Sequence, residues 1–547
     1  MFYLFATLLA FYLTVLTVPL ANRIAGKLGA VDRPDGGRKM HAAPTPRTGG
    51  IALMLGILIP AWLWAPLDPG IKAFLSGIAV IYAFGFLDDL LTLNYRKKLA
   101  GQLTAVVAAM AMGRLYISDL GMWGGHEILL GPWIGIPFTV LFLLGITNAV
   151  NLADGLDGLA GGLCLLSFGG MAVLAHMEGH FAIAVCSLIF VGALLGFLRY
   201  NTFPASVFMG DGGSQVLGFS LGILSVILTQ EPHSGLSRTL PLLLIGFPIL
   251  DMIFVMGERI LDGKSPFQSD TRHFHYRLVH MGASPVGSVV VIYAIQAGLV
   301  ILALYLRRYP EDWILAVYLA VAVPVLGFIW LSARFGLSIP RFLSWGADWG
   351  SGGKFARPAR WVSAGSLWGI RVLLPLGLVW LALSCPSSNG HVAESIIFLA
   401  MAVLLPVIYG LARPLFSILV RLSLYTAGFF LLVHTRGERM EFLDVPVRIF
   451  NRFFWGTLAA LLVLYFIGDR FRRFQASTLD YLLLLLVVLI PILPLEQLHR
   501  YQIGTVAGGM IVLLWTTEAV IRNQKRSWNA STLAALACLV IIGLSGL

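Results

Sequence analysis

The stretch Asn148-Ala-Val-Asn-Leu-Ala-Asp-Gly-Leu-Asp-Gly-Leu-Ala-Gly-Gly162 decides how this chain is read. An apolar run, Ile134 to Ile146, leads into it, and another, Leu163 to Ala175, leads out. Carboxylates and carboxamides at a membrane edge cost free energy, so their presence there points to function. Asn148, Asn151, Asp154 and Asp157 recur every third residue. On an α-helix each such step turns the side chain back by about 60°, so neighbouring members share a face. A strip of oxygen ligands of this kind suits a hard divalent cation, Mg²⁺ in particular, holding a phosphate-bearing substrate. The competing reading is a polar helix end with Asp as its cap.

The surroundings are those of a membrane protein. Of 547 residues, 58% are hydrophobic and only 12% charged, and the mean hydropathy is +0.85. Near-continuous apolar runs long enough to cross a bilayer recur along the chain, and they exclude the alternating pattern of a barrel. The expected fold class is all-α and polytopic, with about 11 helices in an N-terminal core and about 6–7 more beyond it. Phe2 to Leu20 is too long for a signal-peptide core and lacks a basic flank, so it is expected to be the first transmembrane helix. The net charge of +11 falls between spans rather than in a basic tail, which argues against a nucleic-acid partner. Cys164, Cys186, Cys385 and Cys538 show no metal or redox spacing and read as small apolar fillers.

Counting spans places the polar clusters. The loop Asn22 to Gly50 carries Arg23, Lys27, Arg33, Arg38, Lys39 and Arg47, and is expected to be cytoplasmic. From there, alternation puts on the same side Asp88-Asp89 with Lys98, the Asn/Asp strip, Gly210-Asp-Gly-Gly-Ser214, and the segment Asp270-Thr-Arg-His-Phe-His-Tyr-Arg-Leu278. The core is expected to end near residue 335, followed by a linker or interfacial segment at 336–366 and a C-terminal transmembrane extension at 367–547 whose role the sequence leaves open. Arg421 argues against a membrane span near 415–433.

Each cluster has a chemical use. Asp88 and Asp89 point about 100° apart on a helix, so one can act as a base while the other fixes a cation or lysine. Lys98 can bind phosphate as a point charge. The glycines around Asp211 allow backbone N–H groups to approach phosphate at a helix start. His273, His275 and Arg277 would face one way in an extended segment, whereas in a helix His273 and Arg277 would share a face. With Arg272 they form a phosphate-binding or acid–base group. Asp251, inside a span, serves either a structural hydrogen bond or the site. Carboxylates for a metal, cations for phosphates and a bilayer alongside suit phosphoryl transfer between a soluble nucleotide and a lipid phosphate.

The sequence resembles the polyprenyl-phosphate N-acetylhexosamine-1-phosphate transferases. The ordered motifs are Val31-Asp-Arg-Pro34, Arg38-Lys-Met-His41, Pro46-Arg-Thr-Gly-Gly50, Asp88-Asp89 with Lys98-Leu99 and Gln102, the Asn148 strip, Met209-Gly-Asp-Gly-Gly-Ser214, Asp251 before Arg259, and Asp270 to Leu278. The resemblance covers about residues 1–335. It implies a Mg²⁺-dependent enzyme, with Mn²⁺ as a substitute, that converts a UDP-N-acetylhexosamine and polyprenyl (undecaprenyl) phosphate into polyprenyl-diphosphate-sugar and UMP. It further implies that Asn151, Asp154 and Asp211 hold the metal. Asp157 would contact the nucleotide and Lys98 the diphosphate, while Lys39, Asn148, Gly210 and Arg272 lie in motifs expected to line the substrate sites. Asp88 or Asp89 would deprotonate or orient the lipid phosphate, and His273, His275 and Arg277 would bind phosphates.

The family loop usually reads His-x-His-His, and here Tyr276 stands at the last position. Arg277-Leu278 resembles the GlcNAc-type branch, which favours GlcNAc-1-phosphate and a role in O-antigen or other surface-polysaccharide synthesis. The expected location is the bacterial cytoplasmic membrane, with the site facing the cytoplasm and a homodimer as a candidate assembly. The competing readings are a phospho-MurNAc-pentapeptide translocase of peptidoglycan synthesis and a non-catalytic transporter of lipid-linked sugar.

Overall fold

The computed structural model describes residues 2–33, 44–66, 68–91, 93–231, 234–265 and 272–335, and in the C-terminal part 356–384, 398–399, 401–403, 406, 413–434, 441–442, 445–469, 478–489, 503–522 and 530–545. The chain divides into two compact units, Met1–Gly346 with Ser477–Leu482, and Ala347–Ala476 with Leu483–Leu547. Among the described residues nine helices are long and apolar enough to cross a membrane. The chain is therefore an all-α, multi-pass membrane protein, because a helix satisfies its own backbone where lipid offers no partner.

The first unit runs α1 (Phe2–Leu28), α2 (Gly49–Trp64), α3 (Pro69–Leu91), α4 (Tyr95–Gly113), α5 (Pro132–Ala153), α6 (Leu159–Met177), α7 (Phe181–Asn201), α8 (Gly210–Gln230), α9 (Leu240–Leu244), α10 (Gly246–Leu261), α11 (Phe274–His280), α12 (Pro285–Tyr305) and α13 (Glu311–Phe335). Apolar side chains such as Leu141 and Val323, 70% and 65% exposed, face outward where lipid would lie. α8 is the opposite case, with Leu217, Phe219 and Leu224 fully buried. Small residues let its neighbours close in. A Cβ on Gly85 of α3 would come 2.5 Å from the Gly212 Cα, and one on Gly218 would come 2.8 Å from the Thr147 Cα of α5. Helix α8 is thus wedged between α3 and α5.

Two interruptions of the helical run have local causes. The apolar segment that starts at Leu240 breaks at Ile245, between α9 and α10. Pro248 has no N–H for the carbonyl of Leu244. Gln296 of α12 replaces it, donating to the Leu244 carbonyl at 2.7 Å and accepting the Phe247 N–H at 3.0 Å. The connection after α4 is a hairpin, β3 (Asp119–Trp123) on β4 (His126–Leu129). Gly124 and Gly125, both at positive φ, supply the tight turn that such a hairpin needs. A shorter ribbon pairs β1 (Val31–Asp32) with β2 (Thr45–Pro46).

In the second unit a helix runs from Ala356 to Leu383, so residues 356–366 of the segment read as a linker are helical. Leu374, Leu378, Phe454, Leu458, Leu513 and Leu539 contribute to its buried core. Arg421 lies within the helix Arg413–His434. Its guanidinium Nε donates to Glu518 at 2.7 Å, and the Tyr425 hydroxyl donates to the same carboxylate at 3.1 Å. Pairing of this kind lets an otherwise apolar helix carry a charge.

Candidate active site

The first turn of α8 is where the site is assembled. Gly210 has φ +74°, and a Cβ there would lie 2.5 Å from the Asp89 Oδ2, so only glycine fits. Asp89, near the end of α3, accepts the N–H of Asp211 at 2.8 Å and of Gly212 at 3.0 Å. It caps α8 and complements the positive end of that helix.

Asp211 thereby meets three elements. Its Oδ1 accepts from Nδ2 of Asn151 on α5 at 2.7 Å. Its Oδ2 lies 3.1 Å from the Lys98 ammonium on α4, which also pairs with Asp88 of α3 at 2.7 Å. Asn151 donates to Ser214 Oγ as well, at 2.7 Å. Asn94 caps α4 by accepting the Lys97 N–H at 3.0 Å. That helix starts at Tyr95, so Lys98 rides on its first turn.

One helical turn deeper lies a layer of carboxamides. Gln102 donates to Asn148 at 3.3 Å and to Gln215 at 3.2 Å, and Asn148 donates to Gln102 at 2.9 Å and to the Leu144 carbonyl at 2.8 Å. Asn148 thus supports the layer above. Gln102 and Gln215 follow Lys98 and Asp211 at the i+4 spacing, the register that puts them on the same helix faces.

The four-residue strip does not stay on one helix face. α5 stops at Ala153, so Asp154 sits at its C-terminal boundary and Asp157 lies in the turn before α6. Asp157 accepts the Ala205 N–H at 2.8 Å, toward the loop after α7. Asp154 makes no side-chain hydrogen bond among the described residues. Burial, then the charges of Asp211, Asp157 and Asp89, push its carboxyl up to about 7, with Arg47 opposing.

The histidine segment closes over this turn. His273 precedes α11, and its Nδ1 lies 2.8 Å from the Asp251 carboxylate, which also accepts the Phe274 N–H at 2.8 Å. That acceptor fixes the tautomer, with a proton on Nδ1. The rings of His273 and His275 are near-parallel, 5.8 Å apart. His275 is buried, its Nε2 has no hydrogen-bond partner among the described residues, and it lies against Gly155, where a Cβ would be 2.1 Å from it. Burial lowers its pKa to about 4, so at neutral pH the ring is uncharged and offers a hydrogen bond rather than a charge. Arg277 and Arg272 are turned to other partners. Arg277 pairs with Glu258 and donates to the Arg272 carbonyl, while Arg272 pairs with Asp262. Lys39 and Asp270 fall outside the described residues.

No three His, Cys, Asp or Glu side chains among the described residues converge tightly enough to enclose a metal alone. The donor set nevertheless fits Mg²⁺, which takes one or two carboxylates and completes its shell from phosphate and water. Among the described residues neither the Asp154 carboxylate nor the side-chain Oδ1 of Asn151 has a hydrogen-bond partner, and Asp211 accepts from the Asn151 side chain.

Sequence reasoning left Asp251 open, and named Arg47 in a cytoplasmic loop and a family motif without giving it a task. Nor did it place Gln102 and Gln215 in a layer, although their spacing from Lys98 and Asp211 carried the signal. Arg47 follows β2, a segment stitched to the loop before α8. The Phe208 N–H donates to the Pro46 carbonyl at 2.7 Å, and those of Gly49 and Gly50 donate to Phe208 and Met209 at 3.0 and 2.9 Å.

The sequence is similar to known proteins. Residues 71–229 match the family described as glycosyl transferase family 4. A Bacillus subtilis (strain 168) protein named "Probable undecaprenyl-phosphate N-acetylglucosaminyl 1-phosphate transferase" is 37% identical over 293 residues, 52% of this chain and 81% of that protein. The undecaprenyl-phosphate alpha-N-acetylglucosaminyl 1-phosphate transferase of Escherichia coli (strain K12) is 30% identical over 345 residues, 61% of this chain and 93% of that protein. That of Yersinia pestis is 29% identical over 327 residues, 58% and 89% of the two chains.

Proposed function

Since this chain belongs to the polyprenyl-phosphate N-acetylhexosamine-1-phosphate transferases of glycosyl transferase family 4, we propose that it transfers GlcNAc-1-phosphate from UDP-GlcNAc to undecaprenyl phosphate. The products are undecaprenyl-diphosphate-GlcNAc and UMP, and the reaction would start a surface polysaccharide such as O-antigen. A lipid-phosphate oxygen forms a bond to the sugar-bearing phosphorus, and the bond from that phosphorus to the UMP oxygen breaks. The observation that carries the reading is Asp211 held between Lys98 and Asn151, with the Asp154 carboxylate, which has no hydrogen-bond partner among the described residues, nearby.

Each residue has a task that follows from its contacts. Lys98, shared by Asp88 and Asp211, binds the diphosphate and holds both carboxylates in place. Asp88 orients the lipid phosphate or takes its proton. Asp89 positions Asp211 through the α8 backbone. His275, uncharged, offers its free Nε2 to a phosphate oxygen or to the turn beneath it. Mg²⁺ held by Asp211, Asn151 and Asp154 would offset phosphate charge and align the diphosphate for attack. The basic residues Arg23, Lys27, Arg96 and Lys97 at the same end of the bundle support a site that faces the cytoplasm.

The test incubates purified protein with Mg²⁺, undecaprenyl phosphate and UDP-GlcNAc and follows UMP, with Asp211→Ala as control and UDP-MurNAc-pentapeptide as an alternative donor. UMP formation that requires lipid, UDP-GlcNAc and Asp211 is expected. Folded protein that releases no UMP from any of several UDP-sugars would remove the transferase reading in favour of binding or transport.

A further inference from the structure

We propose that Arg47 is a substrate-phosphate ligand of this site, parked on Asp32 when no phosphate is bound. The proposal rests on the phosphosugar-transfer reading above and adds a residue to it.

The cations near the site differ in how many donors they have to spare. Lys98 gives two of its three ammonium N–H donors to Asp88 and Asp211, which leaves one for the diphosphate. Arg277 is engaged by Glu258, the Arg272 carbonyl and the ring of Phe254, and Arg272 by Asp262. His275 is neutral at physiological pH. Arg47 differs. Among the described residues its side chain makes one hydrogen bond, to Asp32, although a guanidinium carries five N–H donors in a rigid fork. The side chain is 29% exposed, so a soluble or lipid-borne phosphate can reach it without unfolding anything.

Its place is set by backbone, which separates it from an ordinary surface arginine. The Arg47 N–H donates to the Ala30 carbonyl at 2.9 Å, and the segment on either side is hydrogen-bonded to Phe208 and Met209, immediately before Gly210 and Asp211. A Cβ on Gly50 would come 2.9 Å from the Met209 carbonyl oxygen, so the two segments are in direct backbone contact. Asp88, Asp89, Asp154 and Asp211 concentrate negative charge here, and both substrates add more. A second cation with free, forked donors is what phosphate binding at such a place requires. Pairing with Asp32 spares the guanidinium an unpaired, half-buried state while the site is empty.

The alternative is that Arg47 and Asp32 simply staple β1 to β2. The two ideas differ in what happens when only the carboxylate is removed. Equilibrium binding of UDP and of undecaprenyl phosphate would be measured separately, on full-length protein in nanodiscs, for wild type, Arg47→Ala, Arg47→Lys and Asp32→Asn. UMP release by the wild type would be recorded in parallel. The expected result is that Arg47→Ala weakens one of the two ligands by roughly ten- to a hundred-fold, as for a lost charge-assisted contact. Arg47→Lys should fall between, and Asp32→Asn should bind at least as well as wild type. The ligand that weakens tells whether Arg47 holds the nucleotide diphosphate or the lipid phosphate. Equal losses in Arg47→Ala and Asp32→Asn would reduce the pair to a staple and overturn the proposal. Unchanged binding of both ligands by Arg47→Ala would overturn it too, while leaving the transferase reading intact if the wild type turns over. A wild type that releases no UMP, yet loses UDP or lipid-phosphate affinity only on Arg47→Ala, would refute the transfer reaction and keep the contact.

Discussion

Asp89 and Asp211 are joined through backbone rather than side chain: Asp89 Oδ1 accepts the Asp211 N–H at 2.8 Å, with the Gly212 N–H on the other oxygen. Two adjacent carboxylates on α3 are thereby given different work. Asp88 meets Lys98 and accepts the Leu93 N–H at 2.7 Å, and Asp89 meets the start of α8.

Substitution should separate them. Asp89→Asn keeps a capping oxygen and is expected to retain turnover within about tenfold of wild type, whereas Asp89→Ala loses the cap, about 0.5–2 kcal/mol of stability, together with most activity. Asp88→Asn should lower kcat by roughly a hundred-fold or more with little change in thermal midpoint. UMP release and thermal unfolding measured on the three variants decide the matter. Asp89→Asn as inactive as Asp88→Asn would mean that Asp89 takes part in the chemistry.

Gly155 and His275 make a second testable pair. A Cβ on Gly155 would sit 2.1 Å from the His275 Nε2, so Gly155→Ala must displace either the ring or the turn that carries Asp154. Overpacking of this kind costs about 1–3 kcal/mol, and turnover is expected to fall by at least about tenfold with it. Adding His275→Ala should restore much of the thermal midpoint and none of the activity. Wild-type stability and kcat in Gly155→Ala would show that the ring does not lie on the turn.

Cation affinity should carry the signature of Asp154. Its carboxyl, pushed up to about 7 by burial and by Asp211, Asp157 and Asp89, holds a proton in the cation-free protein below that pH. A cation needs the ionised form, so the proton competes and apparent affinity falls as pH drops below about 7, by roughly tenfold per pH unit for one proton. Above that pH the affinity should level off. Mn²⁺ binding followed by electron paramagnetic resonance between pH 5.5 and 8.5 tests this, and Asp154→Asn should bind weakly with a flat profile. A sloping profile in Asp154→Asn would assign the proton to another group.

Much of this site could be read in one dimension. Asp88, Asp89, Lys98, Asn151 and Asp211 were identifiable because charge in an otherwise apolar chain stands out, and counting helices brought them to one end. The asymmetric roles of Asp88 and Asp89 were not readable, since a cap is defined by the N–H groups it meets on a distant helix. Nor was the departure of Asp157 toward Ala205. A three-residue repeat looks helical until one knows that α5 stops at Ala153 and glycines take over. Arg272 and Arg277 looked like phosphate ligands, and their partners, Asp262 and Glu258, emerge only when α10 and α11 come together.

The sequence by itself determined that this is a multi-pass helical membrane protein, and its ordered motifs pointed to phosphosugar transfer. Hydropathy must satisfy the bilayer residue by residue, and the motifs are local, so both survive without coordinates. Tertiary structure alone decided which polar group meets which. With α8 wedged between α3 and α5 by glycine contacts, Asp211 reaches Lys98 and Asn151, Asp89 becomes a cap, Asp251 orients His273, and Arg47 arrives beside the acidic cluster with donors uncommitted among the described residues. Hydrogen bonds and ion pairs act over about 3 Å, a distance that only packing between remote helices sets.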